Sequence, residues 1–210
     1  MSKVICIFPQ DDTTDFLRPL CDHICSTFNA VEVGYDIAEG DKQKEIIYKG
    51  IKDAQTIFFL GHGESTCLYA SILNGAQLFN KDNSSLLEDK HLFLLACNSD
   101  QFIKTYKLSE AIGFGFLPTS LRDARRARKL HSMRIEHLKE NDIDSYNTAL
   151  VNALISTLSE ATMADSHLFA ERLKFSTCEE IARILLQRRT PNYRLVADEL
   201  YYFYKDVIFS

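Results

Sequence analysis

A chain of 210 residues, 46% of them apolar and including 14 Phe and 9 Tyr, has material for one sizeable core. Its net charge of −5 offers no global electrostatic case for nucleic acid, and no apolar run approaches the roughly 20 residues that span a bilayer. Six cysteines lie scattered without framework spacing, mostly in apolar contexts, which suits reduced thiols in a cytoplasmic protein. The start, Met1 to Pro9, is too short and unpunctuated for a signal peptide and reads as a first strand.

Strand and helix then alternate. Val4 to Phe8 is a buried strand closed by Pro9. Thr13 or Asp15 can cap a helix whose apolar positions Phe16, Leu20, Ile24 and Phe28 recur every four residues, with Pro19 in its first turn. Within it, Cys21-Asp22-His23-Ile24-Cys25 has metal-ligand residue types, but no second ligand pair accompanies them, and neither a metal nor another cofactor is expected. Ala30 to Tyr35 is a weaker strand, and Lys42 to Ala54 a helix with Ile46, Ile47 and Ile51 on one face. After the Phe58 strand, signals from Glu64 to Asp89 are mixed, with Asn74-Gly75 and Asn83-Ser84-Ser85 as turn markers. Leu108 to Ile112 reads as a short helix or strand lead-in, and Gly113 to Leu117 as a further strand. Between Leu121 and Glu140, seven basic residues face three acids, so this segment is +4 and the remainder −9. We read it as a basic insertion in a single domain, either a solvated surface or a face for an acidic partner, which is an activating protein or nucleic acid. Asn141 to Asn147 resembles a loop, Thr148 to Thr162 is an amphipathic helix with Leu150, Leu154 and Leu158 in register, and another helix runs from about Cys178 to Gln187. Leu195 to Phe209 fits a helix or a final strand equally.

Two segments carry the chemistry. Ile57-Phe58-Phe59-Leu60 precedes Gly61-His62-Gly63, and Leu92-Phe93-Leu94-Leu95 precedes Ala96-Cys97-Asn98-Ser99. Each run has the length of a strand buried on both faces of a parallel sheet, with a crossover of helical and loop character between them. Parallel neighbours end at the same edge, where open α/β sheets place their ligands. His62 and Cys97 would then share one rim, and a His–Cys pair is the minimum for a nucleophilic cysteine hydrolase. A nucleophile elbow needs glycines where Leu95 and Ser99 stand, and Gly61-His62-Gly63 and Gly113-Phe114-Gly115 lack the spacing of a phosphate loop.

An apolar block ending in His62-Gly63 and another ending in Ala96-Cys97, 35 positions after the histidine, resemble the caspase-like cysteine peptidases of clan CD. Caspases place the two roughly 50 residues apart in a Gln-Ala-Cys context; Leu95 stands here instead, and the wording is more similar to the bacterial CHAT-domain proteases. The likeness covers about residues 1 to 120. It implies a caspase-like three-layer α/β sandwich with a mostly parallel sheet flanked by helices. It also implies a cysteine endopeptidase with Cys97 as nucleophile, His62 as base and acid, and the N–H groups of Gly63 and Cys97 as oxyanion hole. Glycine at 63 suits close approach of the substrate to the backbone. Family pockets lie near the end of the first strand, so Asp11 and Asp12 would receive an Arg or Lys side chain of the substrate. The implied partners are a protein substrate and an activating protein, in bacterial defence or regulated cell death, with neither nucleic acid nor membrane directly engaged. The alternative is a catalytically silent caspase-like or flavodoxin-like module that binds a protein partner.

Overall fold

The structure, a computed structural model, describes residues 3–9, 12–35, 40–71, 75–127 and 135–210. Packing divides the chain into two compact units, Met1–Phe116 with Val207–Ser210, and Leu117–Asp206. No change of composition marks the first boundary, whereas the basic stretch that begins at Leu121 falls inside the second unit.

The first unit contains β1 (Lys3–Ile7), α1 (Arg18–Phe28), β2 (Val31–Val33), α2 (Asp41–Lys52) and β3 (Ala54–Leu60). It continues with β4 (His62–Glu64), β5 (Cys67–Ser71), β6 (Ala76–Phe79), β7 (His91–Leu95), α3 (Ser99–Tyr106) and β8 (Ala111–Gly113). The second unit holds α4 (Leu121–Ala127), α5 (Glu140–Glu160), α6 (Ser166–Gln187) and α7 (Tyr193–Lys205), after which β9 (Ile208–Phe209) returns to the first.

The expected α/β architecture is present. A six-stranded sheet runs β2-β1-β3-β7-β8-β9, parallel except for the final antiparallel pair. Side chains alternate across a strand, so each central run feeds two faces at once. Ile5, Ile7, Ile57, Phe59, Leu92 and Leu94 join Ile47 and Ile51 of α2 and Phe102 and Ile103 of α3 in one core. The intervening residues face the other way: Phe28 of α1 meets Phe58 at 5.2 Å between ring centroids, Phe58 meets Phe93 at 5.5 Å, and Phe93 meets Phe114 at 5.3 Å. Fully burying each such side chain stabilises the fold by about 1.5–3 kcal/mol, which is why residues 57–60 of β3 and 92–95 of β7 include no polar member. Helix, sheet and helix make three layers.

The segment between β3 and β7 differs from the helical and loop crossover anticipated. β4, β5 and β6 form a separate antiparallel sheet, and the only helical turn described between them and β7 is the 3-10 turn Ser84–Leu87. Gly75, at φ +61°, accepts the left-handed backbone needed between β5 and β6; Asn74 lies outside the described residues. Leu68, Leu78 and Phe79 seal this sheet onto the α2–α3 side of the core. The Tyr48 hydroxyl of α2 donates to the Leu78 carbonyl at 2.7 Å, and the Asn83 amide donates to that hydroxyl at 2.7 Å.

Other elements shift within their expected places. Ile47 and Ile51 are buried one helical turn apart, but Ile46, rotated about 100° from Ile47, is 55% exposed. β8 begins at Ala111, two residues before the anticipated strand, and α3 had no sequence reading at all. In the second unit, Asn141 to Asn147 forms the first two turns of α5, because Asp142 accepts a hydrogen bond from the Lys139 amide at 2.8 Å and starts the helix. Leu150, Leu154 and Leu158 are buried as expected. α6 starts at Ser166, twelve positions earlier than the apolar pattern suggested, with Asp165 accepting from the Leu168 amide as its cap. The C-terminal stretch is both a helix and a strand. Of the basic segment, residues 128–134 lie outside the described residues. Among the described residues, no helix is long and apolar enough to cross a membrane.

Candidate active site

The chain leaves β1 toward β2 on one side and leaves β3 toward β7 on the other. The carboxyl ends of β1 and β3 therefore flank a topological switch point, where adjoining connections diverge and leave a crevice. His62 and Thr13 meet there: Thr13 Oγ1 lies 2.8 Å from His62 Nε2. Thr13 sits in the turn between β1 and α1, and His62 opens β4, paired with Tyr69 of β5. The imidazole is largely buried, at 8% exposure.

β3 and β7 stay in parallel register through Leu60 and Leu95, and the Gly61 amide donates to the Leu95 carbonyl at 3.1 Å. Their ends are thus level, and Cys97 follows β7 by two residues. The thiol's residue is half-buried, unlike Cys6, Cys21 and Cys67, which are buried. The turn that carries it is tightly fixed. Asn98 adopts the left-handed conformation at φ 57°, and its amide donates to the Gly115 carbonyl at 2.9 Å. Ser99, fully buried, donates through Oγ to the Leu94 carbonyl at 2.5 Å and accepts from the Phe114 amide at 2.8 Å. A Cβ on Gly113 would come within 2.5 Å of Ile103 Cδ1 and 3.0 Å of the Asp100 nitrogen, so only glycine lets α3 start this close to β8.

Gly63 joins the two halves. A Cβ there would stand 2.8 Å from the Cys97 carbonyl oxygen, 2.9 Å from Ala96 Cβ and 3.0 Å from Leu68 Cδ2. The absent side chain makes room for the backbone of the Cys97 turn itself, a reason for glycine that differs from the substrate approach inferred from sequence. Asp12 is exposed, one residue before Thr13; Asp11 lies outside the described residues.

Thr13 and Ser99 are the site-forming residues that sequence reasoning missed. Thr13 was legible only as a helix cap, and its contact with a residue 49 positions away has no local signal. A third convergence also escaped notice: Cys6 of β1 lies over Cys21 and Cys25 of α1, with the three sulfurs within 4.8 Å of one another. Compared with known proteins, the chain matches no family model, no curated protein and no solved structure.

Proposed function

We propose that the chain is a cysteine endopeptidase of caspase-like type, closest in wording to the CHAT-domain proteases, acting in the cytoplasm on a protein substrate. The observation that carries this reading is the Gly63 contact. It presses the strand that begins with His62 against the backbone of Cys97, at the rim where β3 and β7 end in register. In the reaction, His62 takes the Cys97 thiol proton, Sγ attacks the scissile carbonyl carbon as the thiolate, and the carbonyl π pair moves onto oxygen. The amides of Gly63 and Cys97 stabilise that oxyanion. Collapse breaks the C–N bond, and the leaving amine takes the proton held by the His62 imidazolium, giving a thioester. Water, deprotonated by His62, then attacks the thioester, releasing the carboxylic acid and restoring the thiol. Asp12, together with Asp11, supplies negative charge for a substrate Arg or Lys.

A latent protease is silent in a cleavage assay, so the test is labelling of the folded protein with a limiting peptide ketone ending in Arg or Lys. The expected result is modification of Cys97 ahead of the other five thiols, with His62→Ala slowing it about 100-fold. Asp12→Ala should slow the basic probe and spare one ending in Leu. Labelling that favours the exposed Cys178 and ignores His62→Ala would instead favour the catalytically silent, partner-binding module.

A further inference from the structure

Cys6, Cys21 and Cys25 form a cluster that the proposed chemistry does not use. Cys6 is in β1, and Cys21 and Cys25 stand four residues apart on α1, so one helical face presents both sulfurs to the strand. Cys6 and Cys21 are fully buried with their Sγ atoms 3.6 Å apart, and Cys25 is half-buried. All three sulfurs fall within 4.8 Å of one another. Three thiolates around a metal ion at about 2.3 Å are about 3.8–4.0 Å apart in tetrahedral or trigonal geometry. The cluster thus needs little rearrangement to close on an ion.

We propose that Cys6, Cys21 and Cys25 bind a thiophilic d10 metal ion, zinc(II) or copper(I), which staples α1 to β1. Ligand type argues for such an ion, since a site made only of cysteine sulfur selects these metals over magnesium or calcium. Charge argues for it as well. A bound cation offsets the mutual repulsion of three thiolates, each thiol losing its proton to solvent as the ion enters. The half-buried edge at Cys25 leaves a side from which an ion can arrive and where a water can complete a zinc tetrahedron.

The experiment uses the full chain, reduced and freed of metal. Cobalt(II), which reports zinc sites by thiolate-to-metal charge transfer in the near ultraviolet, and copper(I), delivered against a chromogenic chelator, are titrated separately. One equivalent per chain is expected for at least one ion, with a rise in Tm on binding. Cobalt binding that zinc reverses identifies a zinc site; copper(I) binding alone identifies a three-sulfur copper site. Both the spectrum and the Tm rise should be lost in Cys25→Ser, whose half-buried position lets the variant fold, and be kept in Cys97→Ser and Cys178→Ser. No stoichiometric binding by the reduced protein overturns the proposal, as does oxidation of Cys6 and Cys21 to a disulfide as the cluster's only chemistry. Binding that survives Cys25→Ser and disappears in Cys97→Ser also overturns it.

Discussion

At the scale of single residues, the imidazole of His62 is positioned by a hydroxyl. Its Nε2 lies 2.8 Å from Thr13 Oγ1, and a hydrogen bond at one ring nitrogen sets which of the two nitrogens carries the proton. Thr13 is then a positioning residue for the proposed reaction. Thr13→Val keeps the side-chain shape and deletes the oxygen. We expect the rate of Cys97 labelling to fall about tenfold, the size of a hydrogen bond's worth of about 1.4 kcal/mol, and its pH profile to move. A shift in Tm alone, with rate and profile intact, would show Thr13 to be merely structural.

At the scale of elements, the start of α5 is held by a pH-sensitive contact. Asp142, fully buried, accepts from the Lys139 amide at 2.8 Å and from the Asn192 side-chain amide at 2.8 Å, joining the start of α5 to the start of α7. Burial by itself would raise its pKa, but these hydrogen bonds, with a longer one from the Asn192 backbone, hold it below the ordinary carboxylate value of 3.8. A carboxyl depressed in the folded state contributes stability that is complete above the unfolded pKa and is lost as pH falls through the folded one. Thermal melts should therefore lose Tm progressively below about pH 4. Asp142→Asn should cost about 1–2 kcal/mol at neutral pH, as charge-assisted bonds become neutral ones, and should flatten that acid limb. Parallel acid limbs in variant and parent would assign the loss to other carboxyls.

For the molecule as a whole, the second unit is inserted in sequence between two neighbouring strands of the main sheet, since β8 precedes it and β9 follows it. Four residues complete that sheet. Ile208 and Phe209 pair with Gly113 and Ile112. The Ser210 amide donates to the Ala111 carbonyl at 3.0 Å, and its hydroxyl donates to the Leu108 carbonyl at 2.9 Å. Deleting residues 207–210 leaves β8 as an open edge directly beside Gly113 and the Cys97 turn. We expect a loss of about 2–3 kcal/mol, faster amide exchange at Ala111 to Gly113, and a tendency to associate through the uncovered edge. Unchanged exchange at those amides would show that β9 contributes nothing to holding β8.

Period and apolarity made the central strands readable, because a run such as Ile57 to Leu60 or Leu92 to Leu95 is stable only with both faces buried. The same logic gave α1, the middle of α5, and the parallel α/β class. It also gave His62 and Cys97 as strand-end residues, because a polar or reactive side chain directly after such a run must emerge at the sheet's rim. Local signals failed where the deciding partner is distant. The helix at Asn141 depends on a carboxylate satisfied by Asn192, 50 positions away. α3 depends on Gly113 giving it space, and the β4–β6 sheet on a core that Leu68 and Phe79 can join. The nearness of Thr13 to His62, the seat of Gly63 on the Cys97 backbone, and the meeting of Cys6 with Cys21 and Cys25 are products of sheet order alone. Sequence places each of these residues on its element, and only the packing of β1, β3, β7 and α1 determines which of them touch.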